Sequence, residues 1–437
     1  MATLVWFTDD LRVHDNRALY LASLRDEPLV CLYCVDEEWF KPNQYGLKRI
    51  GDHRWRFLHE SLQALDVALR EQGQRLCIQL GSPVTIVGDI IDQYNISTVF
   101  SNSQTGFQES ENWETLKTKY SALNFTRVES STLFTKQQLT RIDDFPETFS
   151  KFRNQVDSSN HRIDSLENVC EYTELNLPAA LSVESSSLPK VNYSDPKSDF
   201  VGGEKFALEH LKTYLATGAP STYFDTRNEL EGWPLSTKLS SWLANGCLSP
   251  RKVVASLLAF EDQFGENKST RWIYFELLWR EYFQWYAYHY GKQIFEFRGI
   301  NNKRLLTSFY PQRFKQWCSG KTPYPIVNAC IHQLNKTGYL SNRGRQIVAS
   351  CLVSELQVDW RCGASYFEQQ LVDYDVASNW GNWQYIAGVG CDPRGGRHFN
   401  LKKQAQSYDP QGVFVKKWGG KETAGALDYV DAADWPI

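Results

Sequence analysis

The apolar residues of this 437-residue chain change their period once, near residue 200, and that change restricts the fold more than any other feature of the sequence. Up to about residue 130, short β-rich segments at 4–7, 29–35, 75–80, 98–101 and 125–128 alternate with longer helical stretches, notably 53–71 and 83–94. This alternation predicts an α/β unit, a Rossmann-like doubly wound parallel sheet. Ser82 followed by Pro83 makes a cap and first-turn pair for one of its helices. From 202 to about 418 the strand pattern is absent. Helical spacing over 204–216, 238–245, 250–264, 270–290, 326–337, 343–360 and 364–371 predicts an all-helical second domain. The intervening stretch, rich in Ser and Pro over 177–198, reads as a long connection wrapping the surface. The expected organisation is an α/β domain at 1–130, a linker at 131–200 and a helical domain at 201–437.

Composition narrows the function. A formal charge of −4 excludes a generally basic nucleic-acid coat and leaves only a local basic surface for such a role. Two stretches qualify: 321–354 has no Asp or Glu, and 394–421 has seven basic residues against Asp409. A solvated face is the plainer reading of the second stretch. Ten cysteines show no framework of short spacings, and Cys31 and Cys34 lie in an apolar strand with no second ligand pair, so no metal site is expected. No signal peptide or membrane-length apolar run is present, which predicts a cytoplasmic protein. The first loop, residues 8–15, contains no glycine, so a dinucleotide phosphate loop is not expected there.

Residues 373–385 combine Asp373, Asp375 and Asn379 with Trp380, Trp383 and Tyr385 in a stretch otherwise patterned as buried helix. Unpaired buried polar groups cost several kcal/mol, roughly 2–7, so such a mixture needs a ligand or a satisfied polar network. Three further clusters point the same way. Ser236, Thr237, Lys238, Leu239 and Ser240 precede a helix and suit a diphosphate, or simply cap it. Glu276, Trp279 and Arg280 share one helical face, either as site residues or as a solvated pair beside a core Trp. Arg343 and Arg345 stand near a helix start, where cations oppose the dipole and call for anionic partners.

Taken together, these motifs closely resemble the photolyase/cryptochrome family over nearly the whole chain. The resemblance rests on residues 5–15, on Leu248, Ser249, Pro250 and Arg251, on 276–281, on Tyr324 and Pro325, on Thr337 and Gly338, on Asn342 and Arg343, and on 379–383. Within the family the sequence looks like the cryptochrome DASH class, carried by 342–346, 379–385 and 403–406. Gln346 and Tyr385 stand where duplex-repairing photolyases typically have Met and Trp.

The resemblance implies FAD in a U shape inside the helical domain. Tyr223 and Ser236 to Ser240 would hold its diphosphate and adenine side. Glu276, Trp279, Arg280, Asn342, Arg345, Asp373, Asp375 and Asn379 would surround the flavin and ribityl, with Asp375 at the imide, Asn379 near N5, and Asp373 paired to Arg345. It further implies light-driven repair of cyclobutane pyrimidine dimers, with Glu276, Trp279, Asn342, Arg343, Gln346, Tyr385 and Arg397 toward the substrate. Trp383 and Trp360 would supply electrons; the third member of that chain, expected near residue 307, is not Trp, which leaves Tyr310, Trp317 or another route. The implied partner is single-stranded DNA bearing dimers, with RNA and a blue-light receptor role as alternatives, and the protein would be a monomer. A methenyltetrahydrofolate antenna is left open, because Gln104 and Thr105 occupy the place of the class's folate-binding Glu.

Overall fold

The computed structural model describes residues 1–139, 145–158, 175–192, 199–423, 425 and 427. Five parallel strands, β1 (Ala2–Phe7), β2 (Leu29–Val35), β3 (Leu76–Leu80), β4 (Ile96–Asn102) and β5 (Asn124–Val128), form one sheet in the order β3-β2-β1-β4-β5. β1 and β2 are buried along their whole length, as expected of central strands covered on both faces. Helices α1 (Arg17–Ser23), α2 (Asp52–Glu71), α3 (Pro83–Tyr94) and α4 (Phe107–Lys119) connect the strands. The order reverses between β1 and β4, so the loops following those two strands diverge and open a crevice at their carboxyl ends.

The second domain is helical, and its helices close around the Lys268–Tyr290 helix. That helix is capped reciprocally by Asn267 and Thr270, and thirteen of its 23 residues are buried. The expected helix at 343–360 is instead three pieces. Asn342–Ser350 runs into a π-type turn, Cys351–Glu355, and a new helix, Trp360–Gln370, begins after the Asp359 carboxylate caps it through the Arg361 N–H at 2.9 Å. Gln357, at φ 55°, breaks the register, and the extended backbone beside it pairs Val358 with Ser308. The expected 238–245 helix is likewise shorter, Ser240–Ala244, because Lys238 takes a left-handed φ of 55°.

One continuous core joins the two domains. Buried Arg12 donates to the carbonyls of Gly246 (2.8 Å) and Ser130 (2.7 Å), and the Arg251–Asp15 pair is 2% exposed on both sides. The Glu281 carboxylate accepts from Leu133 N at 2.8 Å, Phe134 N at 3.1 Å and Trp285 Nε1 at 2.7 Å. Gly246, at φ 70°, lets the helical domain touch the first loop: a Cβ there would lie 1.9 Å from the Asp9 carbonyl.

The linker region is not confined to the surface. Leu133 and Phe134 are fully buried, and α5 (Phe149–Ser158) carries buried Phe149 and Phe152. Farther on, Ala180 pairs with Leu29, and Ser186 N donates to Ile78 O at 2.9 Å. Parts of the predicted linker and tail lie outside the described residues. No helix among the described residues is long and apolar enough to cross a membrane, and no cluster of metal-ligating side chains occurs among them. The described cysteines are free.

Candidate functional site

A cavity of about 720 Å³ opens in the helical domain. Its wall gathers residues that lie far apart in the chain: Tyr223, Ser236 to Ser240, Glu276, Trp279, Arg280, Asn342, Arg345, Gln346, Asp373, Asp375, Asn379, Trp383, Tyr385 and Arg397. Of the residues singled out from sequence for the site, Arg343, Trp360 and Trp380 stand outside this wall, as do the electron-path candidates Tyr310 and Trp317.

The floor is built on the helix Val376–Ala387. Asp375 caps it, accepting from Ser378 N at 2.6 Å, which fixes the carboxylate at the cavity edge. One turn on, buried Asn379 donates from Nδ2 to the Ala364 carbonyl at 3.0 Å, an anchor that sets the plane of its amide. Trp383, a further turn along and 2% exposed, packs its ring edge on Trp317 at 6.3 Å and on Phe367 at 5.1 Å. Gly363 makes room for it, since a Cβ there would lie 2.2 Å from Trp383 Cη2. Trp360 is fully buried, holds the Phe297 carbonyl at 3.0 Å, and packs on Trp380 at 5.8 Å.

On the wall, Arg345 grips Asp373 with Nη2 at 2.7 and 2.9 Å from the two carboxylate oxygens, so this arginine has the anionic partner its position demanded. Arg343 differs: its guanidinium lies over Tyr408 at 4.8 Å and donates to Asn228 Oδ1 at 3.2 Å. Burial and the nearby Arg227 push its pKa below the usual guanidinium value. Lys238 sits 4.8 Å from the Tyr339 ring, and its left-handed backbone aims the Ser236–Ser240 stretch around the cavity end. Arg280 reaches the cavity but donates to the carbonyls of Ser131 (2.6 Å) and Leu243 (3.3 Å), tying linker to helical domain.

Near the mouth, Glu276 is ion-paired to Arg227 and accepts from Trp272 Nε1 at 2.9 Å. Burial raises its pKa, while Arg227 and the Trp272 hydrogen bond pull the other way without cancelling the rise. Trp279 stacks on Phe149 at 3.8 Å and meets Tyr385 edge-on at 5.9 Å. The Tyr385 hydroxyl accepts from Arg397, whose guanidinium also lies 4.9 Å from the ring centre and 3.3 Å from Asp392.

Arg227, Trp272, Phe149 and Gln284 were not singled out from sequence. Trp272 had a signal, standing four residues before Glu276 on one helix. The others had none, because their partners are remote in the chain. Gln284 donates to Asp375 at 2.7 Å and accepts from Thr105, 179 residues away. Thr105, in the place of the class's folate-binding Glu, is thus engaged by Gln284, and the neighbouring Gln104 carbonyl accepts from Ser110.

The site therefore offers the carboxylates of Glu276, Asp373 and Asp375, the amides of Asn342, Gln346 and Asn379, hydroxyls, arginines and a lysine in one aromatic enclosure. Gln346 Oε1 is buried there without a hydrogen-bond partner, which fits a ligand that donates. This donor and acceptor set suits a bulky cofactor with an imide-bearing ring system at one end and a diphosphate at the other.

Comparison with known proteins agrees. Residues 3–170 match the DNA photolyase family, and 272–425 match the FAD binding domain of DNA photolyase. A cryptochrome DASH of Idiomarina loihiensis is 48% identical over 432 residues, covering 99% of this chain and 95% of that protein. One from Vibrio parahaemolyticus is 46% identical, covering 99% and 97%. The crystal structure of a Synechocystis cryptochrome superposes with a TM-score of 0.89 at 36% identity, covering 95% of this chain and 88% of that one.

Proposed function

Since this chain belongs to the photolyase/cryptochrome family, as an FAD protein of the cryptochrome DASH kind, we propose that it repairs cyclobutane pyrimidine dimers in single-stranded DNA under blue light. When bound, FAD supplies light-driven transfer of one electron to the dimer and its recovery after the ring opens. The protein supplies position, charge and exclusion of water. Asp375 and Asn379 would take the flavin edge, with the Arg345–Asp373 pair beside it, and Lys238 with the Ser236, Thr237 and Ser240 hydroxyls would take the diphosphate. Gln346 Oε1 takes a donor from whatever fills the adjoining space.

The mouth accepts the lesion. Trp279 and Tyr385, edge to face, are the apolar walls for an extruded dimer, and Glu276, whose pKa burial raises against the pull of its Arg227 partner, is the group placed to hydrogen-bond a pyrimidine carbonyl. Arg227 and Arg397 line the same cavity, Arg343 lies outside its wall but within electrostatic reach of Arg227, and the three serve the phosphates. A dimer must leave the stack to enter, and that extrusion costs least in a single strand. Tyr385 and Gln346 give less stacking area than Trp and Met would, which favours the same substrate.

Electrons reach the site through Trp383. Its ring contact with Trp317, followed by Trp317 to Tyr366 at 5.4 Å, is the route for which the geometry argues most directly, and it does without a Trp near 307. Trp360 packs instead on Trp380, which does not line the cavity.

The observation that carries the proposal is the pairing of a flavin-type floor with the Glu276, Trp279 and Tyr385 mouth in one cavity. The test is a repair assay with dimer-bearing single-stranded oligothymidine, in blue light and in darkness. Light-dependent loss of dimers is expected; its absence would leave a receptor or a non-repairing nucleic-acid binder.

A further inference from the structure

The crevice at the β1 and β4 carboxyl ends is the ordinary ligand position of a doubly wound sheet, and here a side chain from the other domain reaches the loop on its β4 side. Gln284, on the Lys268–Tyr290 helix and 2% exposed, enters from the helical side. Its Oε1 accepts from Thr105 Oγ1 at 3.2 Å, in the loop after β4. Its Nε2 donates to Asp375 Oδ2 at 2.7 Å. The other carboxylate oxygen, Oδ1, accepts from Ser378 N at 2.6 Å.

The two contacts fix the amide's orientation. A hydroxyl can give its proton to a carbonyl oxygen, and a carboxylate can only accept, so the Gln284 amide has one satisfied direction: oxygen to Thr105, nitrogen to Asp375. Turned over, it would set oxygen against oxygen at Asp375. The Asp375 carboxylate thereby sets the direction of the amide, and Thr105 holds the oxygen that is left facing it. Because the donor is a neutral amide and not a cation, Asp375 is oriented without its charge being cancelled. Asp9 lies close by, held by Asn102 at 2.7 Å and Thr8 at 3.0 Å; burial and the Asp375 charge both raise its pKa.

We propose that Gln284, tethered by Thr105, is a positioning residue that fixes the Asp375 carboxylate at the flavin edge, so that the loop after β4 and the flavin site share one directed hydrogen-bond chain. This rests on the placement of Asp375 at the flavin edge given above. Two consequences follow. The potential felt by the cofactor depends on a threonine in the other domain, and anything that displaces Thr105 is felt at Asp375.

The experiment compares FAD dissociation constants and flavin midpoint potentials for purified holoprotein carrying Gln284→Leu, Thr105→Val, Thr105→Ser or Asp375→Asn. Gln284→Leu removes a donor to a charged acceptor and should weaken FAD binding by about tenfold. It should also make the potential more negative, since the N–H dipole that faced Asp375 is then gone. Thr105→Val, at a residue that does not line the cavity, should shift the potential in the same direction by less, and Thr105→Ser should keep the parent value. If Asp375→Asn moves the potential while Gln284→Leu and Thr105→Val leave it at the parent value, the chain is refuted and the site assignment stands. If Asp375→Asn itself changes neither quantity, the site assignment is what fails.

Discussion

Asp373→Asn offers a quantitative test of how the site is held. The Asp373 side chain is 2% exposed and receives both of its charge-assisted bonds from Arg345, whose side chain is 26% exposed. Removing one partner of a fully buried pair costs about 3–5 kcal/mol, mostly because the remaining charge is stranded. Arg345 also donates from Nε to the Leu340 carbonyl at 2.8 Å and keeps some access to water, so the lower end applies and should be discounted further, to about 2 kcal/mol. Asparagine keeps the shape and one acceptor, which isolates the charge. Urea unfolding of the apoprotein for Asp373→Asn, Arg345→Met and the double variant gives the coupling directly, provided fluorescence and helical signal unfold together. The expected coupling is about 2 kcal/mol, with the double variant more stable than the sum of the singles predicts. A coupling below about 0.5 kcal/mol would refute the pair as a structural element of the cavity.

Four other predictions can be checked independently. Gly363→Ala places a methyl against Trp383 and Leu352, at 2.2 and 2.5 Å before relaxation, and should cost about 1–3 kcal/mol in urea unfolding while slowing photoreduction. Trp383→Phe should abolish or greatly slow photoreduction with FAD retained, and Trp317→Phe should slow it more than Trp360→Phe in a flash-photolysis measurement. Burial raises Asp10 from 3.8 to about 6 against the pull of its Thr8 and Asn16 hydrogen bonds. The folded protein thus holds that proton more tightly than the unfolded chain, and this stability is full below pH 3.8 and lost as pH rises through about 6. Asp10→Asn should remove up to about 3 kcal/mol of that pH dependence in unfolding titrations between pH 4 and 6. Arg343→Ala should lower the salt dependence of single-strand binding by about one phosphate contact in a fluorescence titration.

Much of the fold was legible because hydrophobic period reports burial directly. The strand at 29–35 and the helices at 83–94 and 250–264 were placed as found, since each packs one continuous apolar face or run. The break at Gln357 was not legible, because it depends on pairing with Ser308, which local pattern does not encode. At the site, residues clustered in sequence were found from their mixture of charge and aromatic rings, as at 373–385. The Arg227 and Gln284 contacts were not, since each is defined by a partner on another element, Glu276 in one case and Thr105 in the other. The residues themselves pointed only to a buried ligand; the family resemblance identified it as FAD.

The most direct test of the account is the ratio of light-driven dimer repair on single-stranded oligothymidine to that on the same lesion in a duplex. A mouth walled by Trp279 and Tyr385 with Gln346 behind it predicts repair that strongly favours the single strand, and a Tyr385→Trp, Gln346→Met variant that narrows the gap. Equal repair of both substrates, or none of either, would contradict it.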